Sequence, residues 1–318
     1  MYHVYMEKIL ITGGAGFIGA HVARQLYDRG EQVCIIDDFN DRYDPRLKRA
    51  RVAKLLAKSV NIVEGDIRDL DLVRTIFKDN KFTGVIHLAA WAAVQTSIER
   101  PHIYTNVNVD GTVNMLETAR QHDVRNFIFA SSSSVYGGRQ EVPFKETDDV
   151  SRPISPYAAT KAAGEILCAA WHNLYGLPIS CLRFFTVYGP WGRPEMALFK
   201  FSQAISNDTP VPMRGQDTQR DFTYIDDCVH GILAALDHPH DFEIFNIGEA
   251  DTVSLPRFIA AIENALGKKA TVEEVPLPPG DVPRTLADIS KGRDMLNYNP
   301  STNIESGVSK FVDWYNSY

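Results

Sequence analysis

The feature that most constrains this chain is a glycine-rich stretch, Gly13-Gly14-Ala15-Gly16-Phe17-Ile18-Gly19. It lies between a β-rich run, Lys8–Thr12 (KILIT), and a helical pattern running from Phe17 to Arg29. Without side chains at Gly13, Gly16 and Gly19 the backbone can turn tightly, and the start of the helix can approach a pyrophosphate closely. Glycine clusters also make plain turns, so the context decides. A strand precedes this one, a helix follows it, and Asp37 stands at the tip of the next β-run, Gln32–Ile36. A carboxylate there accepts from both hydroxyls of an adenosine ribose and repels the 2′-phosphate of NADP. NAD is the expected dinucleotide, with the neighbouring Arg42 as the feature that would favour NADP instead.

Further apolar runs at Val60–Glu64, Gly84–Leu88 and Asn126–Ala130 alternate with helix candidates at Arg46–Lys58, Asp71–Asp79 and Val107–His122. Continuous apolar strands separated by helices predict a parallel sheet covered on both faces, and right-handed crossovers make it doubly wound. The expected fold is thus α/β, a Rossmann-type sheet with a smaller α/β substrate-binding lobe. The texture changes past Tyr188, where Gly189-Pro190-Trp191-Gly192-Arg193-Pro194 signals a loop. Proline-rich stretches then recur at 209–213 and 275–283, with a strand-like Phe242–Ile247 and a helix candidate Leu255–Leu266. Residues 1–188 are read as the dinucleotide-binding domain, with interleaved returns from the C-terminal half. Residues 189–318 are read as mainly the substrate lobe.

With 318 residues, 44% of them hydrophobic, the chain is long enough for a sizeable core. A net charge of −7 argues against nucleic acid or an anionic membrane as partner, so an anionic ligand needs a local basic pocket. Cys34, Cys168, Cys181 and Cys228 show no metal-ligand spacing and read as buried reduced thiols; no metal is expected. Met1 to Lys8 lacks the apolar core of a secretion signal, and a cytoplasmic location is expected.

Tyr157 and Lys161 form Y-x-x-x-K, one helical turn apart and on one face. A phenol is a poor base near neutral pH, but a neighbouring ammonium and a positive nicotinamide both favour phenolate. Ser131-Ser132-Ser133-Ser134-Val135-Tyr136-Gly137 follows the fifth strand, where a doubly wound sheet places its ligand. Asp66, after the third strand, suits either an adenine amino group or the cap of the next helix. His87 in His87-Leu88-Ala89-Ala90 reads as a packed strand residue rather than a catalyst.

GGAGFIG, HLAA, SSSSVYG, YAATK, LRFFTVYGPWGRPEMALF, RDFTYIDD and PPGDVPRTLAD together resemble the extended short-chain dehydrogenase/reductase family of nucleotide-sugar epimerases and dehydratases, over essentially the whole length. The resemblance implies that Tyr157 takes the sugar hydroxyl proton as hydride leaves to NAD⁺. It implies that Lys161 tunes that base and holds the nicotinamide ribose. Ser132, with Ser134 as a second candidate, contacts the reacting oxygen. The dinucleotide is expected against Gly13, Gly16, Phe17, Ile18, Asp37, Asp38, Asn40, Asp66, Ile67, Leu88, Ala89, Ala90, Asn108, Ser131, Tyr157, Lys161 and Phe184.

The same resemblance separates the chemistries. Sugar 4,6-dehydratases carry Asp-Glu where this chain has Ser133 and Ser134, and UDP-glucuronate decarboxylases carry Glu at the second. Lacking both acids, the chain is expected to invert C4 of a UDP-sugar through a transient 4-keto intermediate. Arg193, Arg220 and Arg284 are candidates for the diphosphate, against the alternative of solvated surface arginines, and Asp281 for the uridine ribose. Thr186 and Ser133 are candidates to hold a C6 carboxylate. The segment RFFTVYGPWGRPEMALF is nearer to UDP-glucuronate 4-epimerases than to the UDP-galactose branch. One stretch departs: acidic-sugar epimerases read HLAAQAGVRYS where this chain reads HLAAWAAVQTS, so Trp91 replaces Gln and Gln95 replaces Arg. UDP-glucuronate is the first expectation, and UDP-glucose/UDP-galactose or an N-acetylhexosamine the alternative. A dinucleotide-binding protein without catalysis is disfavoured by the intact Ser132, Tyr157 and Lys161. A homodimer is expected through helices near Val107–His122 and Tyr157–Tyr175.

Overall fold

A computed structural model describes residues 7–56, 58–215 and 217–318. Seven parallel strands form one sheet, in the spatial order Phe242–Ile247, Ile179–Phe184, Asn126–Ser132, Gly84–His87, Lys8–Thr12, Gln32–Asp37 and Asn61–Glu64. The chain order reverses between Lys8–Thr12 and Gly84–His87, which opens a crevice at the C-terminal edge of the sheet. The central strands are buried along their length save for Lys8 at the start of the first, as continuous apolar runs require when helices cover both faces. Two apolar clusters result, one on each side. One includes Val22, Leu26, Ile128, Ile232 and Phe258; the other includes Ile76, Phe77, Leu116, Phe127 and Cys181.

The strand Phe242–Ile247, read from sequence with the smaller lobe, lies instead at the edge of the main sheet beside Ile179–Phe184. The helix Ile225–Asp237 likewise packs on the Phe17–Asp28 helix, so the C-terminal half returns into the first. The smaller lobe is built from the helices Ala197–Ser206, Leu255–Leu266 and Ile304–Ser317 with three two-stranded ribbons. Leu255–Leu266 has the predicted bounds; Ser254 caps its start and Gly267, at φ 66, ends it.

The Val107–His122 expectation meets a longer helical run, Pro101–Thr105, a π-turn at Asn106–Asp110 and Gly111–Arg120. The helix expected over Arg46–Lys58 spans Pro45–Leu55, and Ala57 within that expectation lies outside the described residues. Most of the Met1–Lys8 stretch lies outside them as well. Among the described residues no helix is long and apolar enough to cross a membrane.

Candidate active site

The crevice is a cavity of about 690 Å³ running along the strand ends. At one end the glycine-rich turn supplies its floor. Gly13 sits at φ 69, and a methyl there would stand 2.9 Å from both the Cα and the N of Ala89. A methyl on Gly19 would stand 2.3 Å from the carbonyl oxygen of Gly13. Gly16 is the N-cap of the Phe17–Asp28 helix and offers no capping side chain, so the first helical amides keep their hydrogen-bonding capacity. Gly13, Gly16, Phe17 and Ile18 all line the cavity. A close-packed backbone with free amides at a helix start fits a pyrophosphate.

Asp37, at the strand tip, is buried and lines the same end. Its carboxylate accepts from the amides of Ala15 (3.1 Å) and Phe39 (2.9 Å) and from the Lys48 ammonium (3.1 Å). Asp38 accepts from Asn40, and both line the cavity. Lys48 was not foreseen: it lies on a helix rich in basic residues that reads as a solvated face. Arg51, one turn further on that helix and fully buried, donates to the carbonyls of Trp191 (2.9 Å) and Gly192 (3.3 Å) and to the Tyr43 hydroxyl (2.6 Å). It pins the loop after the sixth sheet strand to the glycine-rich end.

Asp66, Ile67, Leu88, Ala89, Ala90 and Phe184 line the cavity where the resemblance put them. Asp66 is held by Arg68, whose guanidinium donates to both carboxylate oxygens. Asn108 does not line the cavity. It is buried within the π-turn and holds the Trp91 backbone from both sides, accepting from its N (2.8 Å) and donating to its O (2.9 Å), and it also donates to Thr160 (3.0 Å). These bonds fix the cavity wall at Trp91. Ser131 lines the wall, but its hydroxyl donates to Glu165, a carboxylate held by Arg183 in a buried pair. His87 is fully enclosed, between Thr12 (2.7 Å) and Thr112 (3.0 Å), as a packing residue.

The reactive trio meets in the middle. Ser132 ends its strand; its hydroxyl accepts from the Ser134 amide and donates to the Ser134 hydroxyl, both at 3.2 Å. Ser155 caps the Pro156–Tyr175 helix, which puts Tyr157 and Lys161 on one face against that strand. Ser132, Ser133, Ser134, Tyr157 and Lys161 all line the cavity. Burial pushes the Tyr157 phenol up, while a hydrogen bond with Ser132 and the charges of Arg193 and Arg42 pull it down. Burial lowers the Lys161 ammonium to about 8, and it donates to the Ala130 carbonyl at 2.7 Å. The cations that favour the phenolate here are Arg193 and Arg42, while Lys161 donates to the strand backbone. Tyr104 braces Tyr157 edge-on, with ring centroids 6.1 Å apart.

At the far end lie Thr186, Arg193, Arg220 and Asp281. Thr186 opens a short strand, its amide donating to the Asp221 carbonyl at 3.1 Å. Arg220 is held by the carbonyls of Gln219 and Pro283; burial lowers its guanidinium, and Asp281 opposes that. Arg284 is exposed and does not line the cavity. Its backbone bridges to Gln219. Arg193 pairs with Glu195, and its charge favours the Tyr157 phenolate.

A family model described as GDP-mannose 4,6 dehydratase matches residues 10–311. The chain belongs to this family, the extended short-chain dehydrogenase/reductase epimerases and dehydratases. It is 44% identical over 330 residues to UDP-glucuronate 4-epimerase 1 of Arabidopsis thaliana, covering 98% of this chain and 77% of that one. The solved UDP-glucuronic acid 4-epimerase from Bacillus cereus, in complex with UDP-glucuronic acid and NAD, superposes with a TM-score of 0.91 at 35% identity. That match covers 98% of this chain and 99% of the other. A UDP-glucose 4-epimerase from Thermotoga maritima, solved with UDP-glucose, superposes with a TM-score of 0.90 at 29% identity, again over 98% and 99% of the chains.

Proposed function

We propose that this chain is an NAD-dependent 4-epimerase interconverting UDP-glucuronate and UDP-galacturonate. The observation that carries the reading is the trio Ser132, Tyr157 and Lys161 facing one cavity with a dinucleotide cradle, while serines stand at the two positions after Ser132. When bound, NAD accepts a hydride from C4 of the sugar and later returns it. Tyr157 takes the O4 proton in the first half and gives it back in the second. Ser132 orients O4 toward the phenol, and Arg193 and Arg42 lower the cost of the phenolate. Ser133 and Ser134 have hydroxyls too weakly acidic and basic to replace the carboxyl groups that promote loss of CO2 from a 4-keto acid or of water from a 4-keto hexose, so the 4-keto sugar survives to be reduced on its other face. Arg220 and Asp281 are placed to hold the nucleotide end while the sugar turns.

Gly13, Gly16, Phe17, Ile18, Asp37, Asp38, Asn40, Asp66 and Ile67 would hold the adenosine half of NAD. Leu88, Ala89, Ala90, Ser131, Lys161 and Phe184 would hold the nicotinamide half, Ser131 through its backbone. The glucuronate reading is supported by the likeness to glucuronate epimerases and by Thr186 on the cavity wall. The neutral-sugar reading draws on Gln95 standing where acidic-sugar relatives carry arginine, and on the Thermotoga likeness. The reading includes a cytoplasmic homodimer. Exposed Ile166 and Leu174, at 69% and 70% accessible on the Pro156–Tyr175 helix, support a helix-paired interface, and the four free buried cysteines suit a reducing compartment.

The test is turnover of UDP-glucuronate, UDP-glucose and UDP-galactose by the purified protein without added NAD. The expected outcome is a higher kcat/KM for UDP-glucuronate. Thr186→Val should lower that value roughly 10-fold for the acid alone, the effect of one hydrogen bond to a charged group. A preference for UDP-glucose or UDP-galactose would replace this substrate with the neutral one.

A further inference from the structure

Arg42 lies in the loop after the second sheet strand, where an NADP-binding fold can use an arginine for the 2′-phosphate, but here its guanidinium is taken by Glu195. The Arg42 side chain is 9% accessible and forms part of the cavity wall. One of its terminal nitrogens donates to Glu195 Oε1 at 3.2 Å, and Arg193 Nη1 reaches the same oxygen at 3.2 Å from the other side. Two guanidiniums thus share one carboxylate oxygen, leaving one positive charge over. Two atoms of this cluster are buried without a hydrogen-bond partner, Arg42 Nε and Glu195 Oε2. A nearly buried guanidinium with an idle donor is costly unless an acceptor completes it.

We propose that Arg42 is a specificity-determining residue whose guanidinium, held beside Arg193 by Glu195, receives the C6 carboxylate of the sugar. This rests on the glucuronate reading above. Three sources of negative charge enter such a cavity: the dinucleotide, the substrate diphosphate and a sugar carboxylate. The surplus is a single charge, which matches a carboxylate better than a diphosphate. The cluster also lies at the sugar end. Both arginines are near enough to act on the Tyr157 phenol, where O4 must sit, and C6 branches from the ring carbon next to C4. The nucleotide end is furnished separately by Arg220 and Asp281.

Gln95, also on the cavity wall, uses its amide to hold the Pro279 carbonyl at 2.8 Å. Asn40 sets Arg42 in place by accepting from its backbone amide at 3.2 Å.

The experiment is calorimetric binding of UDP-glucuronate, UDP-glucose and UDP to the NAD-loaded protein, in a Tyr157→Phe background that slows chemistry. Arg42→Gln should weaken UDP-glucuronate about 10-fold to 100-fold, as loss of a charged hydrogen bond does, and leave UDP-glucose and UDP within about twofold. Arg42→Lys should restore part of the loss, since the charge returns without the planar fork. Bound NAD, released by denaturation and quantified, should be unchanged and also shows that each variant folds. An equal loss for UDP would assign Arg42 to the diphosphate, and loss of NAD would assign it to the dinucleotide. Unchanged binding of all three would leave it a wall residue. Each of these outcomes overturns the proposal. The wild-type turnover panel decides the glucuronate reading separately. A neutral-sugar preference there, with the acid-selective binding loss intact, would overturn that reading and not the role of Arg42.

Discussion

The two ends of the cavity are built on different principles. The dinucleotide end comes from short contiguous stretches, a strand, a glycine turn and a helix start, and its chemistry is mostly backbone. The rest of the wall draws single side chains from loops and strand ends far apart in the chain: Arg42, Ser132, Thr186, Arg193, Arg220 and Asp281. Backbone recognition depends on conformation and tolerates little added volume. Side-chain recognition depends on which element is brought where, and it can change one residue at a time without altering the fold. Arg51 ties the two together, reaching from the helix beside the dinucleotide end to the carbonyls of Trp191 and Gly192.

The sharpest way to separate the ends is Tyr157→Phe. Removing the phenol oxygen should lower kcat by ~10²–10⁴ while NAD stays bound, because the ring and its contact with Tyr104 remain. Near-normal turnover would take Tyr157 out of the mechanism. Gly19→Ala should strike the opposite end. Its methyl has no room beside the Gly13 carbonyl, so the turn must shift, with about 1–3 kcal/mol of stability lost and NAD retention reduced. An alanine variant that melts with the wild type and keeps its NAD would show that this turn yields more than its packing implies.

The smallest effect concerns the frame behind the dinucleotide end. Burial first, and Lys161 second, lower His87 to about 3. The unfolded chain takes up a proton below the ordinary value near 6.5, whereas the folded chain resists until about pH 3. Below pH 6.5 the unfolded state therefore binds more protons, and stability falls as pH falls. The loss from this residue is about 1 kcal/mol between pH 6.5 and 5.5. Denaturant melts of wild type and His87→Gln at the two pH values isolate it from other buried groups such as Asp221. Parallel pH slopes in the two proteins would mean that His87 does not resist protonation.

Much of this molecule could be read from its residues. The strand starts, the glycine turn, Asp37 at a strand tip and the Tyr157–Lys161 spacing are local patterns, and local patterns carry their geometry with them. The Leu255–Leu266 helix has its predicted bounds because its cap, periodicity and terminal glycine all lie within its own sequence. What sequence placed less well were side chains whose role depends on a distant partner. Asn108 holds the Trp91 backbone, Ser131 turns to Glu165, and Arg284 lies outside the cavity that Arg220 enters. Lys48 and Arg51 sit on a helix whose composition suggests only a solvated face, and both are buried.

By itself the sequence determined the parallel α/β fold, the glycine turn and the placing of Tyr157 and Lys161 on one helix, because each is specified by residues a turn or a strand apart. Only the tertiary structure decided where the charges face. Whether an arginine meets phosphate, sugar or its own backbone depends on which loops close over the same crevice. Arg42, Arg193 and Glu195 meet there although more than 150 residues of chain separate the first from the other two, and that proximity depends on the packing of the whole domain rather than on spacing along the chain.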